Sequence, residues 1–240
     1  MKRFRSQSGP FEEQLRFAPD EIDQMCSEAL GQAKLLPDNP EAIRIERFIE
    51  KHFQCRIRYE DLGVGVLGCT IFKENGSVRD VVISSSLDDG TKTGERRVRS
   101  TLAHEGGHAL MHPSLFIPSL NQGRLDVGET SHENLDFKSR RILCRETDIK
   151  PVGQKRGYDG RWWEWQANRA IGGFLLPTNL VRKTVSPLLD KTAVTGSPSL
   201  SSVKRSEAER LVADTFEVNP VVARIRLDEL FPENKGQIEF

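Results

Sequence analysis

The chain has 240 residues, with lysine plus arginine numbering 35 against 35 for aspartate plus glutamate, a formal net charge of zero. That length suffices for one substantial domain or two small ones with a buried core. Balanced charge removes any general electrostatic drive toward nucleic acid or an acidic membrane surface and leaves only local patches to consider.

The opening stretch Met1 to Pro10 is basic but lacks the apolar run of a secretory signal. No stretch approaches the ~18 consecutive apolar residues of a membrane span. Cys26, Cys55, Cys69 and Cys144 lie far apart without a Cys-x-x-Cys pair, the pattern of reduced, separate thiols. A soluble, cytoplasmic protein is expected. From Phe11 to about Gln54 the pattern is helical. Asp20-Glu21-Ile22-Asp23 opens one helix, with Ile22, Met25, Cys26, Ala29 and Leu30 at helical spacing, and Ile43, Ile45, Phe48, Ile49 and Phe53 mark a second beyond Asp38-Asn39-Pro40. Strand signals follow at Cys55–Tyr59, Val66–Phe72 and Val81–Ile83, with Asn75-Gly76 as a turn pair, which predicts a small sheet. Glu95 to Met111 reads as a helix stopped by Pro113. Residues 113–160 are polar, glycine-containing and irregular, a long loop of the kind that carries function or moves. Arg161 to Leu176 is a further helix, stopped by Pro177. Asp190 to Lys204 is rich in Ser, Thr and Pro and reads as a flexible connection. Ser206 with Glu209 makes a capping-box pattern for a helix to about Phe216, and Asn219-Pro220 opens a last helix through Leu230.

His104-Glu105-Gly106-Gly107-His108 is the strongest chemical signal. On a helix, residues four apart are separated by ~40° around the axis and ~6 Å along it. Two imidazoles at that spacing can grip one ion through Zn–N bonds of ~2.0–2.1 Å. Glu105, rotated ~100° from His104, can stand beside the reacting water as a general base without binding the metal. A zinc site needs a third ligand. His112 would lie ~12 Å from His104 along one helix, too far to share an ion, so a cap or a supporting contact suits it better. The metzincin extension is absent, since Met111 stands where it requires glycine and Ser114 where it requires histidine.

The third ligand is sought in Trp162-Trp163-Glu164-Trp165-Gln166-Ala167-Asn168, which continues to Leu176-Pro177. On a helical wheel Ala167, Ile171, Phe174 and Leu175 form an apolar stripe, and Glu164 and Asn168 fall within it. A core-facing carboxylate is costly unless it is paired or bound to a metal. The alternatives for Glu164 are a salt bridge to Arg96, Arg97 or Arg99, or the third metal position, and the incomplete zinc motif elsewhere favours the second. Asn168, one turn on, can either hold the far nitrogen of a ligand histidine or bond helix to helix. The Gly106-Gly107 and Gly172-Gly173 pairs each weaken a helix by ~1 kcal/mol per glycine, which close backbone approach around the site would offset.

With these residues in view the chain resembles the ImmA/IrrE family of zinc metallopeptidases, a gluzincin-like group. The likeness is carried by Thr101 to His112, with His104-Glu105-Gly106-Gly107-His108 at its centre, and by Glu164-Trp165-Gln166-Ala167-Asn168 running to Leu175-Leu176-Pro177. It covers roughly residues 40–180, and more loosely the helical ending from Phe216 to Leu227. The resemblance implies an α+β, zincin-like core in which a small, mostly antiparallel sheet packs against the His-Glu-x-x-His helix. It further implies flanking helices, a helical C-terminus, one zinc ion held by His104, His108 and Glu164, and Glu105 as catalytic base. Residues 1–188 would then form the peptidase domain with an N-terminal helical extension, and residues 189–240 a linker and helical pair packed on it. The implied substrate is an intracellular regulatory protein, a transcriptional repressor or an antitoxin. Residues 113–160 exceed the corresponding span of short members and would form a lid or substrate platform.

Peptide hydrolysis needs a donor for the developing oxyanion besides the metal, and His132, Tyr158 and Arg161 qualify by chemistry. The rival to a peptidase is a zinc-binding regulator that holds a partner without cleaving it. A DNA-binding reading of the last two helices is weak. Arg210, Arg224 and Arg226 there are interleaved with Glu207, Glu209, Glu217, Asp228 and Glu229. Lys138, Arg140, Arg141 and Arg145 read as a solvated basic cluster. Cys144 near His132 is not read as a second metal site, since a lone cysteine without a paired partner is weak evidence for one. Trp162, Trp163 and Trp165 are expected to pack the helix and line the cleft.

Overall fold

A computed structural model describes residues 2–5, 13–117, 135–136, 138–147, 161–190 and 199–232. Lys2–Arg5 (β1) and Glu13–Arg16 (β2) form an antiparallel pair. Helix α1, Pro19–Gln32, starts only after it. The helical reading that began at Phe11 therefore fails over Glu13–Arg16. Ala18, which precedes proline, is held extended at φ −70° and ψ 156°, and the first turn closes on the Glu21 carboxylate accepting from the Ala18 amide. Ile45–Phe53 (α2) follows, burying Ile45, Phe48 and Ile49.

Strands Arg56–Glu60 (β3), Val66–Phe72 (β4) and Val78–Ser84 (β5) match the three strand signals. β4 and β5 are joined through a turn in which Gly76 takes a φ of +80°, a conformation only glycine adopts cheaply. Two further strands, Leu135–Asp136 (β6) and Arg141–Arg145 (β7), fall inside the span read as one long loop. Their sequences are too short and arginine-flanked to show a pattern, yet β7 pairs along β4 and extends the sheet. The order is β3-β5-β4-β7-β6, with β3 parallel to β5 and every other pair antiparallel.

One sheet face carries Val81, Ile83, Ile142 and Cys144 into the main core, whereas Cys69, Ile71 and Val82 form a smaller cluster on the other. Lys92–Met111 (α3) lies on the main-core face against β4, β5 and β7. Its start is capped by Thr91, whose hydroxyl oxygen accepts from the Gly94 amide at 3.0 Å. Trp162–Leu175 (α4) packs along α3 and also against α1. Thr178–Val185 (α5), unanticipated from the sequence, buries Leu180, Val181 and Val185. Ser202–Thr215 (α6) begins four residues before the expected capping box, so Ser206 is interior to the helix. Lys204 on its first turn pairs with Asp190 at 2.7 Å. Pro220–Leu230 (α7) follows Asn219 as expected, although the Asn219 side chain makes no capping bond.

The described architecture is α+β. Its C-terminal helices share the main hydrophobic cluster through Ala208, Val212, Phe216, Ala223 and Leu227. Among the described residues, no helix is long and apolar enough to cross a membrane.

Candidate metal centre

His104 and His108 project from adjacent turns of α3 with their Nε2 atoms 3.0 Å apart. From α4, Glu164 brings Oε2 to 3.3 Å from His104 Nε2 and 3.6 Å from His108 Nε2. The helices can come this close because position 107 is glycine: a Cβ there would lie 2.8 Å from Ala170 Cβ and 3.0 Å from Ala167 Cα. Both histidines are fully buried and Glu164 is 4 % exposed. The three arginines that offered Glu164 a salt bridge are engaged elsewhere. Arg96 bonds Asp214, Arg97 bonds Glu146, and Arg99 bonds the Ile43 and Phe216 carbonyls.

The far nitrogens of the two imidazoles fix which atoms face Glu164. His104 Nδ1 lies 3.1 Å from Asn168 Oδ1, which can only accept, so Nδ1 carries the proton and Nε2 a lone pair. A longer relay sets His108. The Gln166 amide nitrogen donates to the Leu15 carbonyl at 2.6 Å, which turns Oε1 toward His112 Nε2 at 2.9 Å. His112 therefore donates from Nε2 and accepts at Nδ1 from His108 Nδ1 at 3.0 Å. Burial, with the neighbouring His108, lowers His112 to about 3, so this ring stays neutral and the relay keeps its direction. His108 thus carries a proton on Nδ1 and turns Nε2 toward His104 and Glu164. His112 supports a ligand and is not one itself, as its place one turn further along the helix suggested.

Two Nε2 atoms facing each other at 3.0 Å, each ring already protonated on its far nitrogen, need a positive charge between them. A proton can bridge two of the three donors; a divalent cation can satisfy all three. Ligands of a tetrahedral ion with bonds of ~2.0–2.1 Å sit about 3.4 Å from one another, and the observed separations bracket that value. Burial opposes charge on Glu164, but His108 and His104 outweigh it and hold the carboxyl well below the usual carboxylate range. His104 is likewise opposed by burial, and Glu164 beside it holds it well above the ordinary imidazole value. Neither Glu164 oxygen has a hydrogen-bond partner among the described residues. A buried, ionised carboxylate held in this way fits a cation site.

Glu105 is fully buried beside this cluster. The Thr70 hydroxyl on β4 donates to Glu105 Oε2 at 2.6 Å. Room for the other oxygen exists because position 68 is glycine: a Cβ there would come within 2.9 Å of Glu105 Oε1. Opposite Gly68 in register stands Cys144 on β7, and its sulfur lies within 4.8 Å of ligand atoms of both His104 and Glu105. Burial first, despite the adjoining His104, pushes the Cys144 thiol up to about 12, so it is protonated unless a metal displaces the proton. Cys144 was weighed in the sequence only beside His132, which lies outside the described residues; the structure instead sets its sulfur beside His104 and Glu105.

Thr70 and Gln166 were likewise missed. Thr70 is a hydroxyl inside an otherwise apolar strand, a signal that was present; Gln166 shows nothing in the sequence that separates it from a surface glutamine. Of the three oxyanion candidates, His132 and Tyr158 lie outside the described residues, and Arg161 is the half-buried N-cap of α4. Trp162 and Trp163 are buried, with the Trp162 ring 5.5 Å from that of His112, whereas Trp165 is 41 % exposed. Arg226, one of the arginines considered for DNA, is 1 % exposed and bonds the Leu176 carbonyl and Thr178.

No family model matches this chain, and no curated protein matches it.

Proposed function

We propose that the chain is a zinc-dependent metallo-endopeptidase of ImmA/IrrE type, with a zincin-like core, that hydrolyses peptide bonds of a cytoplasmic regulatory protein such as a repressor or antitoxin. One observation carries the metal part: the Nε2 atoms of two imidazoles and an oxygen of a buried carboxylate meet within 3.6 Å, drawn from two helices. His104, His108 and Glu164 would hold the ion, and a nitrogen, nitrogen and oxygen set suits zinc. When bound, zinc supplies Lewis acidity, easing removal of a proton from water and polarising a carbonyl. Glu105 is the group positioned to take that proton, with Thr70 fixing one of its carboxylate oxygens. The same carboxyl then returns the proton to the leaving amine.

The rival, a metal-bearing regulator that binds a partner without cutting it, is favoured by the complete burial of Glu105. Glu105→Ala separates the two. The peptidase reading expects the variant to take up metal as wild type does while losing all cleavage. Comparative mapping of protein termini between cells carrying each form is the measurement, and identical sets of termini would refute cleavage.

A further inference from the structure

We propose that the N-terminal strand pair is a strap that sets the direction of the hydrogen-bond relay behind His108, and with it the readiness of the site for a metal; this rests on the metal-centre reading above. Among the described residues, β1 and β2 pair only with each other and stand apart from the five-stranded sheet. A two-stranded ladder is marginally stable in water by itself, so this one depends on what it leans against. Leu15 packs on the main core, and Phe17, two residues on, is buried in it. The polar attachment is the Leu15 carbonyl, which accepts from the Gln166 amide nitrogen at 2.6 Å.

That one bond decides which way Gln166 faces. The side chain is 1 % exposed, so its amide has no bulk water in place of the strand. With the Leu15 carbonyl present, only the NH2 end can face it, and Oε1 must face His112 Nε2. Once the strand lifts, the amide can turn over. Its NH2 then meets His112 Nε2, His112 donates from Nδ1 to His108 Nδ1, and the ring proton of His108 sits on Nε2, toward Glu164. In that change the Nε2 proton of His112 leaves, the shared proton crosses to His112 Nδ1, and one proton arrives at His108 Nε2 through admitted water. Each ring keeps one proton. The reversed chain puts hydrogen where a metal would bond and satisfies the site without an ion, whereas the strapped direction calls for a cation. Weakly held elements are where proteins place contacts that open and close, and any event that draws β2 off α4 would lower metal affinity.

Zinc is the probe, competed against a chromophoric chelator with the full-length chain. Leu15→Asp removes the apolar anchor of the strand and leaves Gln166 intact. It should weaken zinc binding by about tenfold, the lower end of the cost of losing a group that orients a ligand. Gln166→Leu should match or exceed that loss, and Leu15→Asp should add nothing in the Gln166→Leu background, because strap and relay are one path. A second readout is nitrogen NMR of the metal-free chain carrying isotope-labelled histidine. Wild type should show His112 protonated on Nε2, and Leu15→Asp a form protonated on Nδ1. Leu15→Ala, a milder loss of the same anchor, repeats both measurements should Leu15→Asp not fold. Unchanged zinc affinity, losses that add in the double variant, or an unmoved His112 tautomer would each overturn the strap while leaving the metal centre intact. If wild type takes up no zinc at all, the metal-centre reading itself falls and this inference falls with it.

Discussion

At the residue scale, each histidine of the candidate site is tied on its far side, and the ties differ in what their loss would do. Glu164→Ala removes a donor, so stoichiometric metal uptake should vanish. Asn168→Ala leaves all three donors but frees His104 Nδ1, and Gln166→Leu breaks the relay that sets the His108 tautomer. Losses of about 10–100-fold in metal affinity are expected for each, the usual size for groups that orient a ligand. Trp165→Ala, at an exposed position of the same helix, should change nothing. Competition against a chromophoric chelator measures all four. The ordering also explains which of these residues could be read in advance. His104, Glu105 and His108 share one helix, where spacing alone fixes geometry. Glu164 showed itself as a carboxylate on an apolar stripe. Thr70, Gln166 and Cys144 reach the site through strand register and helix packing, which no local pattern encodes.

At the element scale, the α3–α4 contact is what turns two motifs into a site, and its glycines are unequal. A Cβ at Gly106 would meet Phe174 no closer than 3.4 Å, an ordinary contact, so the ~1 kcal/mol helix-propensity gain should prevail. At Gly107 the clash at 2.8 Å with Ala170 must separate the helices. Overpacking of that kind costs about 1–3 kcal/mol and outweighs the propensity gain. Gly106→Ala should therefore raise the melting temperature, and Gly107→Ala should lower it and weaken metal uptake too. Equal effects in thermal scans and metal titrations would refute the distinction. Long, strongly patterned elements were legible: β4 spans the apolar run Val66–Phe72, and α3 and α4 end at their prolines. What escaped was short or set by tertiary contact. β7 is a five-residue strand defined by its partner β4, and β2 is a strand because it pairs with β1, not because of its own residues.

At the scale of the molecule, the candidate metal site and the C-terminal helices adjoin the same core. Arg226 on α7 bonds the Leu176 carbonyl at the end of α4, Thr178, Asp23 on α1 and Glu229. Arg226→Met would leave Asp23 and Glu229 paired with Arg169 alone. Breaking a buried charge network costs about 3–5 kcal/mol, and the surviving Arg169 places this case at the lower end. Chelation acts elsewhere. An ion bound at about 1,000 times its dissociation constant stabilises the fold by about 4 kcal/mol. With ~2–4 °C per kcal/mol for chains of this size, metal removal should lower the melting temperature by roughly 8–16 °C. If α7 only buttresses the core, the two losses add in the chelated Arg226→Met protein, as they do for sites without shared partners. If α7 also sets the position of α4 through the Leu176 carbonyl, Glu164 shifts with it. The variant then binds metal poorly from the start, and chelation costs it far less than it costs wild type. Differential scanning calorimetry of the four states decides, and the packing of Arg226 against Gly172, two turns from Glu164, favours the second outcome.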